Sequence, residues 1–575
     1  MTALLGRAAF HILFREKKKK IARFLRTITP DSVLSDLNTC LVRDGITSIT
    51  PQDIFYASSI RDSPQEQPYW TKKSFQIHLS KAHPDATIPD TAIDVLWSCL
   101  CFYAYHPFPL PGAGDGKLEL PAFERGLILL SLQGTRFLGA VDDGLGHSWG
   151  LSEKPCNCRL RLNRIFRSTS LVNRQSIPDP QIAGFDAFVT DDVVDAILLI
   201  FPAQPKLLPS LGQLKPLADR FLQGRTDQYQ TNFNDLANLL CLIMRLKVYE
   251  PTWGRDFHYG SFEESTPEKE ELANILARSF CLGQDEHLAP DSVLQALNIL
   301  PNLEQWFHQL WATLFQPSMS TEMPGLETEP SPDTTMDGIL RAVSLFIPPF
   351  QAHKRTDWDR KVKSITFQDC YDSISQGLTD SFDLDHILQQ IFHNDPNDRS
   401  HLVLFLGNQA QDSKRVVVGA FFPSLTLPTW VQTPSAEDKK QPEQRNQSKI
   451  APPQLLFQLQ PSFSLFRWNG ENNIPSPRAY DSATVQIDRP NCIGDPNRSK
   501  VGVEIDPVTK QATFLRGTAT AANRTSGGYE EVTRNYDGAE TVNGDQQERK
   551  THFTVTRIAI FNVEGGPHYH RDPPW

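Results

Sequence analysis

Residues 400–424 read SHLVLFLGNQAQDSKRVVVGAFFPS. Two apolar runs, His401 to Leu406 and Val416 to Phe422, flank a polar bridge that holds Gly407, Asn408, Asp412 and Lys414. Short runs rich in β-branched and aromatic residues, separated by turn formers, predict two buried strands joined as a hairpin. No obvious nucleophile, base or metal-ligand cluster sits in the hairpin. It could open an enzyme core or form the spine of a non-catalytic module, and the flanking sequence has to decide.

The chain has 575 residues, which predicts two or three domains rather than one. Its 39% hydrophobic and 10% aromatic content is enough to fill real cores. A formal net charge of -10 argues against general nucleic-acid binding, which draws its affinity from basic surfaces. The 43 prolines and 32 glycines predict many loops and breaks rather than long coiled coils. Cysteines stand at 40, 99, 101, 156, 158, 241, 281, 370 and 492. An odd number in a large chain with no secretory signal reads as reduced thiols in a cytosolic setting. No run approaches the roughly 20 apolar residues that span a bilayer.

The first 29 residues form the one strongly basic segment, with eight Lys or Arg against the single acid Glu16. Lys17, Lys18, Lys19, Lys20, Arg23 and Arg26 interleave with Phe14, Ile21, Phe24 and Leu25 at roughly helical spacing. A basic amphipathic helix of this kind can lie on anionic lipid. Alternatives are a mitochondrial import segment, although such segments favour Arg and Ser, or a solvated first helix. Thr2 excludes N-myristoylation.

From 30 to 316 the pattern is mostly helical. Phe233, Leu236, Leu240, Ile243 and Leu246 share one helical face, as do Leu303, Trp306, Leu310 and Leu314 after Pro301. Residues 317–336 (PSMSTEMPGLETEPSPDTTM) offer almost nothing to bury and read as a linker. A helix from Asp337 to Phe350 follows, and then the texture turns to strands. Inserts at 431–448 and about 517–550 read as mobile loops, and 567–575 as a tail.

The stretch FPLPGAGDGKLELPAFERGLILLSL, residues 108–132, has the shape of an EF-hand within a region of about 50–135. With Gly116 as the central glycine, Pro111, Ala113 and Ala122 occupy positions that need oxygen ligands, and only Asp115 fits. The loop is therefore degenerate, and no metal is expected. Cys99-Leu-Cys101 lies in an apolar run and reads as core, while Cys156-Asn-Cys158 lacks a second ligand pair for zinc. Arg159, Arg161, Arg164 and Arg167 line one face of an expected helix, either solvated beside local acids or meeting an acidic partner or phosphates. His568-Tyr569-His570 is a two-ligand pair in a polar tail. No G-x-S-x-G, P-loop or G-x-G-x-x-G occurs, and neither His401 nor His552 has a motif-level partner.

The C-terminal segments have a characteristic order. LVLFLGN (402–408) and VVVGAFFPS (416–424) come first, followed by LLFQLQPSFSLFRW (455–468), NCIGDPNRSKVGVEID (491–506) and HFTVTRIAIFNVEG (552–565). This succession resembles the TLDc domain of oxidation-resistance-type proteins. Gly419, Phe421, Phe457, Leu459, Pro461, Ile493, Gly494, Gly502, Ile505 and Asp506 match its pattern, and residues 367–392 fit its helical lead-in. YWTKKSFQIHL (69–79), FYAYHPFPLP (102–111), RLRLNRIFRS and LPNLEQWFHQLWATLF look like the helical half of the fungal restriction of telomere capping protein five family. The chain departs from the pattern at Ile493-Gly494-Asp495, where a glycine run is shortened, at the insert 431–448, and at Ala559.

The resemblance implies an α+β chain, with a mostly α-helical N-terminal half and a C-terminal TLDc β-sandwich over 337–566, flanked by helices. It implies a non-catalytic protein that binds subunits of the vacuolar proton-pumping ATPase, promotes its disassembly and contributes to oxidative-stress resistance. Any influence on telomere capping would be indirect. No cofactor is expected, and the expected residence is cytoplasmic and peripheral on the vacuolar membrane. The alternatives are a thiol-dependent oxidative-stress enzyme using Cys370 or Cys492, or a mitochondrial TLDc protein.

Overall fold

The computed structural model describes residues 15–16, 18–44, 50–108, 116–130, 155–169, 186–201, 209–222, 231–248, 260–280, 287–288, 299–316, 334–347, 363–375, 383–393, 400–409, 413–423, 453–468, 491–495, 501–516, 529–533 and 550–566. The insert 431–448, most of the linker and the tail read from the sequence lie outside the described residues; of the segment 517–550 read as a loop, 529–533 and 550 are described, and Tyr529–Glu531 form a strand instead.

The amphipathic stretches of the N-terminal half fold as helices. They are α1 (18–27), α2 (Pro30–Asp44), α3 (Pro51–Ser58), α4 (Lys72–Ala82), α5 (Asp90–Tyr105) and α6 (Leu120–Leu130). There follow α7 (Pro155–Thr169), α8 (Asp186–Ile200), α9 (Leu211–Leu222), α10 (Phe233–Met244), α11 (Pro267–Arg278) and α12 (Leu303–Leu314). Their apolar faces meet in an aromatic centre, where Trp70 lies 4.4 Å from Phe123 and Trp311 stacks 5.7 Å from Phe315. Two imidazoles fasten α4 to the end of α12. His78 Nε2–H donates to the Leu314 carbonyl at 3.0 Å, and His83 Nε2–H to that of Thr313 at 2.9 Å. Last-turn carbonyls lack the regular partner one turn on, so His78 gives the Leu314 carbonyl a donor and His83 adds a second to that of Thr313, which also accepts from the Gln316 N–H at 3.2 Å.

The C-terminal half is one antiparallel sheet of ten strands. These are β1 (Lys363–Asp372), β2 (Ser400–Asn408), β3 (Arg415–Phe422), β4 (Leu455–Gln460) and β5 (Ser464–Trp468), then β6 (Cys492–Asp495), β7 (Val501–Ile505), β8 (Gln511–Arg516), β9 (Tyr529–Glu531) and β10 (Lys550–Gly566). The order is β6-β7-β8-β10-β2-β3-β4-β5-β9, with β1 also paired to β10. The hairpin read from residues 400–424 is β2–β3, in register from His401↔Phe422 to Asn408↔Arg415.

Two expectations need correction. Residues 367–372 are not helical: they belong to β1, where Ile365 and Tyr371 are buried, and the helix of this region, α14, spans Leu384–His393. The expected sandwich is not two separate sheets. One sheet curls until its halves face each other across a core. Phe466 of β5 and Phe514 of β8 have ring centroids 5.8 Å apart, although five ladder steps would separate them by roughly 24 Å in a flat sheet. Two ladders on this path slip in register, β10–β2 between Val555 and Arg557 and β3–β4 between Val417 and Val418; bulges of this kind bend a strand and increase its twist.

The alternation of side chains divides the sheet's two faces. Val403, Phe405, Val418 and Ala420 point into the enclosed core, which α14 joins through Leu384, Ile387 and Leu388. Leu402, Leu404, Val417, Phe421, Phe457 and Leu459 point outward into the core of the helical half. Between them stands α13 (Thr334–Phe346), whose Phe346 ring lies 4.8 Å from Phe457 and 5.1 Å from Phe463. An ion pair from Arg415 of β3 to Glu268 of α11 adds a polar tie. The two halves drawn from the sequence therefore share one apolar core, running from Ile28 to Val563.

Candidate functional site

Helices α3 to α6 form two helix–loop–helix pairs joined at their loops. Trp70 and Leu118 exchange backbone hydrogen bonds of 2.8 and 2.9 Å, and Gly116 just before has φ +60°, which glycine adopts without strain. Lys117 Nζ of the second loop lies 2.7 Å from Asp62 Oδ2 of the first and 4.3 Å from the centre of the Tyr69 ring. Tyr69 also donates its hydroxyl to Asp62. The hydrogen bonds from Lys117 and Tyr69 lower the Asp62 pKa. An ammonium group thus ties the two loops. Pro111, Ala113 and Asp115 lie outside the described residues, and Ala122 sits in α6 without an oxygen to offer. Among the described residues no group of three or more His, Cys, Asp or Glu could hold a metal.

The arginines of α7 are where the structure departs most from a solvated face. Arg164 and Arg167 are buried, and they pair with Asp192 and Asp195 of α8. Arg164 Nε donates to Asp192 Oδ1 at 2.6 Å and its terminal nitrogen to Asp195 Oδ2 at 3.2 Å, while Arg167 donates to Asp192 Oδ2. The side chains of Arg159 and Arg161 lie outside the described residues, as do those of Cys156 and Cys158. Asp192 and Asp195 were not singled out from the sequence. Their three-residue spacing in the largely apolar run DVVDAILLI of DAFVTDDVVDAILLI was the available signal, because acids among such residues must find buried partners.

Among the described residues of the basic N-terminal segment, the charged side is open and Ile21 and Ile28 face inward. The Phe24 ring packs edge-on at 4.9 Å from Phe201. Lys18, Lys19, Lys20, Arg23 and Arg26 are exposed, while Lys17 and residues 1–14 lie outside the described residues. The expected amphipathic helix therefore spends the apolar face of residues 21–28 on the protein's own core. A membrane or other anionic partner would meet α1 through charge, not through insertion of that face.

The residues that match the sheet motif serve packing and turns. Gly419 faces Phe457 across the β3–β4 ladder, and a Cβ at 419 would fall within that ring. Phe421 and Leu459 lie on the same outward side, and Pro461 sits in the β4–β5 turn. Ile493 points into the enclosed core. Gly494 has φ +114° and opposes Gly502, where an added Cβ would stand 2.6 Å from the Val501 carbonyl oxygen. Asp506 closes the β7–β8 hairpin by accepting from the Val508 backbone at 2.9 Å and the Thr509 hydroxyl at 2.7 Å. These bonds lower the Asp506 pKa and leave Val508 79% exposed at the tip.

No protein family, curated protein or solved structure matches this chain. The candidate chemical groups are dispersed. His401 is buried in β2, and exposed His552 bonds the Thr513 hydroxyl through Nδ1 at 3.0 Å. Cys99 and Cys101 are buried, as their apolar run predicts. Cys370 lies in β1, and Cys492 in β6 opposes Glu504. His568 and His570 lie outside the described residues. Among the described residues, no helix is long and apolar enough to cross a membrane.

Proposed function

We propose that this chain is a non-catalytic interaction protein of the TLDc type, related to the restriction of telomere capping family. In this reading its curled sheet is the binding body, and it engages the peripheral sector of the vacuolar proton-pumping ATPase and promotes its disassembly. A contribution to oxidative-stress resistance, and an indirect one to telomere capping, would follow from that binding. The observation that carries the reading is the placement of the motif residues. Gly419, Phe457, Leu459, Ile493, Gly494, Gly502 and Asp506 all fall in the strands and turns of one sheet and are occupied in building it. Residues matched in sequence order and used in this way support a scaffold rather than a reaction centre.

The paired helix–loop–helix unit over 51–130 is read as a degenerate EF-hand pair. Its support is the Trp70–Leu118 bridge and the positive φ of Gly116, with Lys117 taking the place of a cation between the loops. The exposed cations of α1 would bring the chain to an anionic membrane surface, in a cytoplasmic and peripheral location. Affinity purification of the native full-length chain tests the function. Recovery of peripheral pump subunits is expected, and their consistent absence would rule the partner out.

A further inference from the structure

Asp192 and Asp195 lie one turn apart on α8, both buried and both within reach of Arg164, yet their pairing is unequal. Both oxygens of Asp192 accept from guanidinium groups, one from Arg164 and one from Arg167. Asp195 receives only the more distant arm of Arg164 at 3.2 Å on Oδ2, and its Oδ1 is buried without a hydrogen bond. A buried carboxylate oxygen with no donor is costly, and a proton on that oxygen removes the charge that burial penalises. We infer that Asp195 is a proton-binding site within the α7–α8 contact, exchanging its proton with solvent while Asp192 stays ionised as the anchor for both arginines.

The surroundings support this division. Burial works against both carboxylates, but Arg164 and Arg167 hold Asp192 at about 2, whereas Asp195 is pushed up to about 7. Carboxyls held far apart by their environments take different protonation roles. Around Asp195, α8 itself contributes Asp191 and Asp192, and α7 contributes Arg164 and Arg167. Lys215 of α9 lies 3.9 Å from Asp191. At the end of α5, His106 is kept neutral by burial, at about 3, and the Tyr103 hydroxyl is kept protonated by burial. Arg125 of α6 interacts electrostatically with His106, and Glu304 of α12 with Tyr103. The acids Asp31 and Asp36 of α2, the other helix packed on α8, are on its exposed side. Proton uptake makes no other bond. It converts two balanced ion pairs into a cluster with one excess positive charge, so the α7–α8 contact responds to pH near neutrality.

Infrared difference spectra of the full-length chain, taken from about pH 5 to pH 9, test the site directly. The wild type should show a carboxylic-acid carbonyl band that fades near neutrality, and Asp195→Asn should lack it. Asp195→Glu, which keeps the carboxyl but moves it, should shift the band and its midpoint if the Asn variant does not fold. Equilibrium unfolding gives an independent reading. Relative to Asp195→Asn, the wild-type folding constant should fall about tenfold per pH unit through this range until Asp195 is ionised, because the folded state holds the extra proton. Absence of a titrating acid band above about pH 5, or a band unchanged in both variants, would overturn the inference.

Discussion

At residue 419 a hydrogen atom decides how the sheet meets the helices. The Phe457 ring occupies the space a side chain would need and passes the contact on to Phe346. Gly419→Ala forces that ring off its site, and overpacking of this kind costs roughly 1–3 kcal/mol. Urea denaturation should show the loss at unchanged slope, and a variant as stable as wild type would mean that the ring can step aside. Gly494→Ala adds backbone strain to a 2.6 Å clash with the Val501 carbonyl oxygen, so its melting temperature should fall further than that of Gly419→Ala. Both glycines were legible in the sequence as positions of the motif it resembles, Gly419 between apolar flanks and Gly494 in a shortened glycine turn. What each glycine makes room for was not, because Phe457 and Val501 come from other strands.

Elements were legible where one face is apolar and less so where charge is buried. Alternation and apolar runs marked β2, β3, β4 and β10, and helical spacing marked α10 and α12. Residues 363–372 misled because KSITFQDCYD mixes polar residues into an edge strand, and only its pairing with β10 specifies it. Four arginines on α7 resemble a solvated face until α8 supplies Asp192 and Asp195. In α1 the apolar residues resemble a lipid-facing stripe until Phe201 covers Phe24. If the exposed side of α1 meets anionic membrane, replacing Lys18, Lys19 and Lys20 together by Ala removes roughly 1 kcal/mol per cation. Sedimentation with anionic vesicles should then weaken on the order of a hundredfold, with the melting temperature unchanged. Binding that survives this triple substitution, or that matches binding to neutral vesicles, would exclude the contact.

For the molecule as a whole, the shared core predicts that the two halves unfold together. Phe346→Ala empties a site against Phe457 and Phe463 and should cost roughly 3–5 kcal/mol. Probes in the helical half and in the sheet should report one coincident transition in the wild type; separate midpoints would show that the halves are independent. Acid sensitivity is a second whole-molecule property. Burial lowers His78 to about 4 and His106 to about 3, and it lowers His83 as well. Below 6.5, the ordinary histidine value, unfolded chains take up protons that these folded imidazoles refuse, so stability falls with falling pH. The loss levels off once the folded groups titrate, at about 4 for His78 and about 3 for His106. Urea midpoints measured between neutrality and that range should show the decline, and His78→Gln should make it shallower.

The sequence by itself determined the kind of element wherever an apolar face runs through it, and the apolar residues buried there, because apolar periodicity and glycine placement act over a few neighbouring residues. It also marked Cys99 and Cys101 as core and the β2–β3 hairpin as buried, since neither needs a distant partner to be recognised. Only the tertiary structure decided that the sheet curls on itself, that the helical half covers its outer face, and that Arg164 and Arg167 of α7 are buried. Each of these depends on groups far apart in the chain: the slips in the β10–β2 and β3–β4 ladders, the ring of Phe346, and the acids of α8. Local pattern cannot specify such encounters, because their free energy exists only when both partners are in place.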